Sequence, residues 1–163
     1  MKKNLIRVAA PLAGLMLFAT PALALEVTQS AQIEADPAKL WSTVGGFCAI
    51  ADWHPAVTAC EESEVDGTQR RTLSLEGGGT LVEDLVSRDD DAMTYTYRIV
   101  EGPLPVANYE STISVSGNDN LTTLAWDGTF DAAEGATDEE AIGVITGIYD
   151  AGIKSIAGIA AGE

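Results

Sequence analysis

The feature that most constrains the fold is a long stretch of period-two alternation, from Val57 to Phe130. Apolar and polar residues alternate there over short segments, and Gly, Asp, Asn and Pro residues separate the segments. The segments are 57–65, 69–75, 80–87, 93–100, 106–116 and 121–130. Such alternation makes one face of each strand apolar and the other polar. The stretch therefore predicts a six-stranded antiparallel meander that must bury one face of its sheet.

Elements before and after the meander supply what could cover that face. Leu25–Ile33 alternates like a strand, and Asp36-Pro37 is typical of a helix start, with the helix running to Val44. A second short helix is predicted over Phe47–Trp53. Near the end, Thr137 and Glu140 have the spacing of a capping box that opens one long helix.

The long helix carries one apolar stripe at a spacing of three to four residues. The predicted stripe comprises Ile142, Ile145, Ile148, Tyr149, Gly152, Ile153, Ile156 and Ile159. A curved sheet with this helix on its apolar face is an α+β fold of two layers. Four glycines inside the helix allow two interpretations, a close approach to the sheet or a loosened helix that opens as a lid. They are Gly143, Gly147, Gly152 and Gly158.

The charge excludes several functions. The chain has 25 acidic against 9 basic residues, for a formal charge of −16, and three of the bases are Lys2, Lys3 and Arg7. Without those three, six bases face 25 acids, a charge of −19. Such a surface repels phosphates, so a nucleic-acid partner or an anionic lipid surface is not expected.

The first 24 residues are typical of a secretory signal peptide. The basic residues precede an apolar run, and Ala22-Leu23-Ala24 fits a signal-peptidase site, which predicts a mature start at Leu25. The apolar run is broken by Pro11 and Gly14 and is shorter than a membrane span. We therefore expect a signal peptide over 1–24, one domain over 25–163, a periplasmic location and no membrane span after cleavage.

Two cysteines and one histidine limit the metal and redox chemistry. In an oxidising compartment Cys48 and Cys60 could form a disulfide, or they could be buried free thiols. No spacing typical of metal ligands occurs around His54, and the acidic turn 89–91 is too short to hold calcium. The residues point to no cofactor and no metal.

A series of short motifs spans nearly the whole predicted mature chain. They are Pro37-Ala38-Lys39-Leu40-Trp41, Phe47 with Trp53-His54-Pro55, Arg71-Thr72-Leu73, Gly78-Gly79-Thr80-Leu81-Val82-Glu83, Tyr95-Thr96-Tyr97-Arg98-Ile99, Gly102-Pro103-Leu104-Pro105 with Tyr109, and Trp126-Asp127-Gly128-Thr129-Phe130. In this order they resemble the START-like, helix-grip superfamily (SRPBCC), which includes polyketide cyclases and lipid-transfer domains. The Trp-His-Pro element and residues 104–109 and 146–152 resemble its MxaD-like periplasmic branch, associated with bacterial methanol oxidation. The resemblance implies a cavity for apolar ligands between the sheet and the long helix.

Seven residues are the candidates for ligand binding in that cavity. They are Trp53, His54, Arg71, Glu83, Tyr97, Tyr109 and Trp126. A three-residue loop over 77–79 would place Leu73 opposite Glu83 and Arg71 diagonal to it, with both charges inward and paired. His54 is either a general base or ligand partner, or a structural residue that tethers its loop to the backbone.

Three functions are compatible with these features. The first is a periplasmic, non-catalytic binder or carrier of a small hydrophobic molecule. The second is a cyclase-like enzyme that uses His54 or Glu83 for proton transfer, although a partner such as Arg71 would lower the pKa of Glu83 and weaken it as a base. The third is an accessory protein of a periplasmic redox system, attracted by its acidity to a basic partner protein.

Overall fold

The strands predicted from the alternating stretch form one antiparallel sheet in the computed structural model, which describes residues 23–162. Residues 1–22 of the predicted signal peptide and Glu163 lie outside the described residues. The strands are β1 (Leu25–Ile33), β2 (Val57–Val65), β3 (Thr68–Leu75), β4 (Thr80–Asp89), β5 (Thr94–Glu101), β6 (Val106–Asn118) and β7 (Leu121–Ala132). Their order across the sheet is β1-β7-β6-β5-β4-β3-β2. The predicted meander is confirmed, and the first strand pairs with the last.

Three helices complete the fold: α1 (Pro37–Val44), α2 (Ile50–Trp53) and α3 (Asp138–Ala161). The Asp36 carboxylate caps α1 by accepting a hydrogen bond from the Lys39 N–H at 3.0 Å. The Thr137 hydroxyl caps α3 by accepting one from the Glu140 N–H at 3.1 Å. These local signals fixed both helix starts. The second helix is three residues shorter than predicted, because residues 47–49 form a turn instead.

Irregular pairing bends the sheet around α3. The register shifts between Val57 and Ala59, within β4, and between Ala107 and Glu110. Such bulges bend a strand and redirect its side chains. The last of them contains Asn108, in the left-handed region at φ 51°, and turns the neighbouring Tyr109 into the interior, where it is 5% exposed. The α+β helix-grip fold predicted from the sequence is confirmed.

α3 packs on β1 and β7 along a single stripe. The buried residues of this stripe are Ala141, Ile145, Tyr149, Gly152, Ile153 and Ile156. The stripe predicted from the sequence was wrong at its two ends, since Ile142 is 37% exposed and Ile159 is 43% exposed. Ile142 lies about 100° around the helix from Ala141, which takes the inward position in the first turn. By length and composition α3 could cross a membrane, a test that the core helix of a soluble protein also passes.

A disulfide ties the segment between the first two helices to the sheet. Cys48 and Cys60 are bonded, with their Cα atoms 5.5 Å apart. Cys48 lies just before α2, and Cys60 lies in β2. The bond therefore anchors the short helix that carries Ile50 and leads into His54.

Candidate functional site

A cavity of about 310 Å³ lies between the concave face of the sheet and α3. Most of its wall is apolar, with contributions from strands, from α2 and from α3. Representative members are Ile50, Val57, Leu73, Leu81, Ile145 and Ile148. Ligand pockets in proteins commonly begin at about 300 Å³ and combine apolar walls with a few polar groups. The cavity has the size and lining of a site for a small apolar molecule.

Five of the seven candidate residues line this cavity. They are His54, Glu83, Tyr97, Tyr109 and Trp126. The other two lie behind the wall. Trp53 packs edge-on against Trp126 at 5.6 Å between ring centroids, and Arg71 reaches the wall through Glu83. The sequence did not single out Glu76, which also lines the cavity.

His54 ties the loop after α2 to α3. Its Nε2 atom donates a hydrogen bond to the carbonyl oxygen of Ile148 at 3.0 Å, and its Nδ1 atom accepts one from the N–H of Ala56 at 3.1 Å. A carbonyl only accepts, so the proton of the neutral ring is on Nε2. Burial lowers the pKa of His54 and favours this neutral form, against the opposing effect of the bond to Ile148. Both ring nitrogens are therefore occupied by backbone groups.

Arg71 and Glu83 are direct cross-strand partners on β3 and β4. The expected register, with Leu73 opposite Glu83, was wrong, since Leu73 pairs with Leu81. The ladder closes where the Leu75 N–H donates to the Gly79 carbonyl at 3.1 Å, so the loop is 76–78, one residue earlier than expected. That shift changes every partner by two residues and keeps both side chains on the inner face.

The Arg71 guanidinium is completely buried, and its Nε and Nη1 atoms have hydrogen-bond partners while Nη2 has none. Its Nε donates to Glu83 Oε2 at 2.6 Å, and its Nη1 donates to the Phe47 carbonyl. The guanidinium lies 4.3 Å from the centre of the Phe47 ring and 4.8 Å from that of Tyr97. Burial raises the pKa of Glu83, while the Arg71 charge opposes the rise. The guanidinium is used to neutralise Glu83, so it offers the cavity no free positive charge.

Next to this ion pair, five polar side chains form one hydrogen-bonded network. Trp126 Nε1 donates to the Tyr97 hydroxyl at 3.0 Å and to Ser111 Oγ at 2.9 Å. The Tyr149 hydroxyl lies 2.8 Å from Ser111 Oγ and 2.6 Å from the Tyr109 hydroxyl. The Tyr97 and Tyr109 hydroxyls are 3.4 Å apart. Burial raises the pKa of Tyr149 to about 12 and those of Tyr97 and Tyr109 well above their ordinary value, so all three are neutral.

Sequence reasoning missed two members of this network. Ser111 shares the inward parity of Tyr109 on β6, a signal that could have identified it, but a serine on that face is easily dismissed. Tyr149 was recognised as a member of the helix stripe and not as a polar group of the site. It fits because β7 has Gly128 beneath its hydroxyl, where a Cβ atom would collide with the Tyr149 oxygen.

Of the two interpretations of the helix glycines, a close approach to the sheet applies to Gly152. A Cβ atom there would come within 2.7 Å of the Trp126 ring and 2.9 Å of the His54 ring. This helix turn approaches the site too closely for a side chain. By contrast, a Cβ atom at Gly143 or Gly147 would meet nothing within 4 Å.

Asp84, the residue after Glu83 on β4, is a second buried carboxylate. It is 3% exposed on the opposite face from Glu83, where it accepts from Arg70 at 2.6 Å and from Arg98 at 3.3 Å. The structure thus buries both neighbours, one on each face, and only Glu83 reaches the cavity. Within residues 23–162, no group of three or more His, Cys, Asp or Glu side chains could hold a metal ion.

Comparisons with known proteins agree with this architecture. A family model described as polyketide cyclase / dehydrase and lipid transport matches residues 24–160. The solved structure of XoxI from Bacillus cereus is 36% identical, with a TM-score of 0.75 over 82% of this chain and 94% of that one. An uncharacterised protein from Bacillus thuringiensis is 33% identical, with a TM-score of 0.77 over 84% and 99%.

A third structure is related in fold alone. The ZhuI aromatase/cyclase from Streptomyces sp. R1128 is 18% identical, with a TM-score of 0.68 over 85% of this chain and 94% of that one. No curated protein matches the chain.

Proposed function

The chain belongs to the polyketide cyclase / dehydrase and lipid transport family, and from that premise we propose that it binds or carries a small hydrophobic molecule without transforming it. The observation that carries the proposal is the apolar cavity of about 310 Å³ beneath α3. A buried apolar surface of this kind binds a ligand chiefly by removing its apolar area from water.

The proposal includes no catalytic step because His54 and Glu83, the two groups that the sequence nominated for proton transfer, are both engaged by other groups. The Nδ1 lone pair of His54 accepts a backbone hydrogen bond, and Nε2 donates to another backbone group. Glu83 is held by Arg71 at 2.6 Å. Taking up a proton would cost His54 its backbone hydrogen bond at Nδ1 and would cost Glu83 its charge pairing with Arg71, so neither residue is a ready base for the cyclase-like alternative.

A cavity-filling variant tests the binding. Leu75 is a partly buried cavity residue, and Val86 is 46% exposed and does not line the cavity. We expect the uncharged dye N-phenyl-1-naphthylamine to bind the wild type with a fluorescence increase, to bind Leu75→Trp at least tenfold more weakly, and to bind Val86→Trp unchanged. Equal binding by all three folded proteins would place the dye elsewhere and contradict the proposal. Native mass spectrometry of the freshly purified protein would identify the natural ligand.

We place this function in the periplasm. The support is the basic, apolar and small-residue segments of 1–24, with Leu25 as the first residue of β1. N-terminal sequencing of protein recovered from a periplasmic fraction should read from Leu25. Protein that retains residues 1–24 in the cytoplasm would contradict the location and leave the binding proposal standing.

A second candidate role is attachment to a basic partner protein of a periplasmic redox system. The observation that favours it is the charge of −19 carried by 25 acidic and six basic residues once residues 1–24 are removed. Electrostatic association of this kind weakens steeply with salt. Co-purification of a basic protein at 20 mM NaCl that is lost at 500 mM would support this role, and no salt-sensitive partner would count against it.

A further inference from the structure

The hydrogen positions in the polar network follow from a chain of donor and acceptor requirements. Ser111 Oγ lies 2.8 Å from the Asp127 carbonyl, which can only accept, so the single Ser111 hydrogen points there. Ser111 must then accept from Trp126 and from the Tyr149 hydroxyl. The Tyr149 hydrogen is thereby committed to Ser111. The 2.6 Å contact between Tyr109 and Tyr149 can be a hydrogen bond only if Tyr109 donates.

Tyr97 is the one hydroxyl of the network whose hydrogen is not firmly committed. Its oxygen accepts from Trp126 at 3.0 Å. Its remaining acceptor is the Tyr109 oxygen at 3.4 Å, beyond the 2.5–3.0 Å range of good O–H···O bonds. Tyr97 lines the cavity, whereas Ser111 and Tyr149 do not. The network therefore presents one available donor at the cavity wall.

The charges around the cavity select against anions. The carboxylate of Glu83 and that of Glu76 both belong to residues that line it. Among the described residues, no lysine or arginine lines the cavity, and the Arg71 guanidinium behind its wall is already bound to Glu83 and to the Phe47 carbonyl. A ligand carboxylate would leave water without finding a free cation, at a cost of several kcal/mol.

From these observations we propose a ligand class, an inference that rests on the binding function proposed above. The ligand is a small, uncharged, mainly apolar molecule with one oxygen acceptor, such as a ketone, which accepts a hydrogen bond from the Tyr97 hydroxyl. The volume of about 310 Å³ limits its size. A water molecule occupies about 30 Å³ in the liquid, so the cavity has the volume of roughly ten water molecules.

Three probes of similar shape test this class: tetralin, 1-tetralone and tetralin-1-carboxylate, measured by calorimetry at pH 7. The readout is the ratio of tetralone to tetralin affinity, because both share the apolar contacts. We expect Tyr97→Phe to lower this ratio about three- to tenfold, the typical net value of one neutral hydrogen bond. Trp126 keeps Ser111 as acceptor in this variant, so the cavity should retain its shape.

Tyr95→Phe is the matched control. It removes a buried hydroxyl from the same strand, two residues from Tyr97, but Tyr95 does not line the cavity and its hydroxyl has no hydrogen-bond partner, so the ratio should stay within twofold of the wild type. The carboxylate should bind the wild type at least tenfold more weakly than tetralone.

The outcomes separate the ligand class from the binding function. Tetralin and tetralone that bind with a ratio insensitive to Tyr97→Phe, or a carboxylate that binds as tightly as tetralone, would overturn the ligand class and leave the binding function intact. Failure of all three probes and of N-phenyl-1-naphthylamine to bind would overturn both.

Discussion

Replacement of Glu83 by Gln should be among the most destabilising conservative substitutions in this protein. The side chains of Arg71 and Glu83 are 0% and 4% exposed and meet at 2.6 Å. Glu83→Gln keeps the shape of the side chain but leaves a buried guanidinium without its counter-charge. Breaking one side of a buried ion pair costs about 3–5 kcal/mol. For a domain of this size that loss corresponds to a decrease of roughly 10–20 °C in Tm.

Urea unfolding followed by tryptophan fluorescence would measure the loss, and two comparisons interpret it. Arg98→Ala removes a partner of Asp84 at 3.3 Å, but Arg98 is 56% exposed, so it should cost less than about 1 kcal/mol. The double variant Arg71→Met/Glu83→Leu replaces the pair by apolar groups and should recover most of the stability lost in Glu83→Gln.

Two results would refute the reasoning. If Glu83→Gln costs no more than Arg98→Ala, the pair is not desolvated in solution. If the double variant is as unstable as the single one, the loss reflects disturbed packing and not an unpaired charge.

The remaining predictions concern the disulfide, the helix glycines and the histidine. Replacing Cys48 and Cys60 together by Ala should lower the free energy of unfolding by about 3 kcal/mol, the value expected for a loop with a separation of 12 residues, and an unchanged urea midpoint would contradict it. Gly147→Ala should raise the Tm because its Cβ atom meets nothing within 4 Å and alanine favours a helix by up to about 1 kcal/mol, whereas Gly152→Ala should lower it through contact with the site. Burial lowers the pKa of His54 below 6.5, so its neutral form stabilises the fold above that pH and the stabilisation is lost as pH falls. Measured by urea titration, the free energy of unfolding of the wild type should therefore fall relative to that of His54→Gln by up to about 1.4 kcal/mol per pH unit between pH 6.5 and 5.5. If the free energies of the two proteins change in parallel with pH, His54 is not buried in its neutral form.

Local pattern was enough to predict the elements and the face on which each candidate side chain lies. Alternation has a period of two, so the inward positions of Tyr97 and Trp126 follow from their own strands without knowledge of the partners. The caps at Asp36 and Thr137 also act within one turn of the chain. The family resemblance supplied what these patterns could not, namely that the sheet curves around the last helix with a cavity between them.

Tertiary structure decided what each of these residues does. The pairing of Arg71 with Glu83 depends on where the glycine loop closes, and three consecutive glycines with φ between 85° and 100° allow several closures. The Tyr109–Tyr149 hydrogen bond joins residues 40 positions apart, on a bulged strand and a helix. The sequence allowed His54 to be either a base or a tether, and the bond of its Nε2 atom to the Ile148 carbonyl on α3 shows that it is a tether. Sequence periodicity specifies which way a side chain points, but hydrogen-bond partners form only when distant segments are brought together, and in this cavity those partners leave Tyr97 as the available donor.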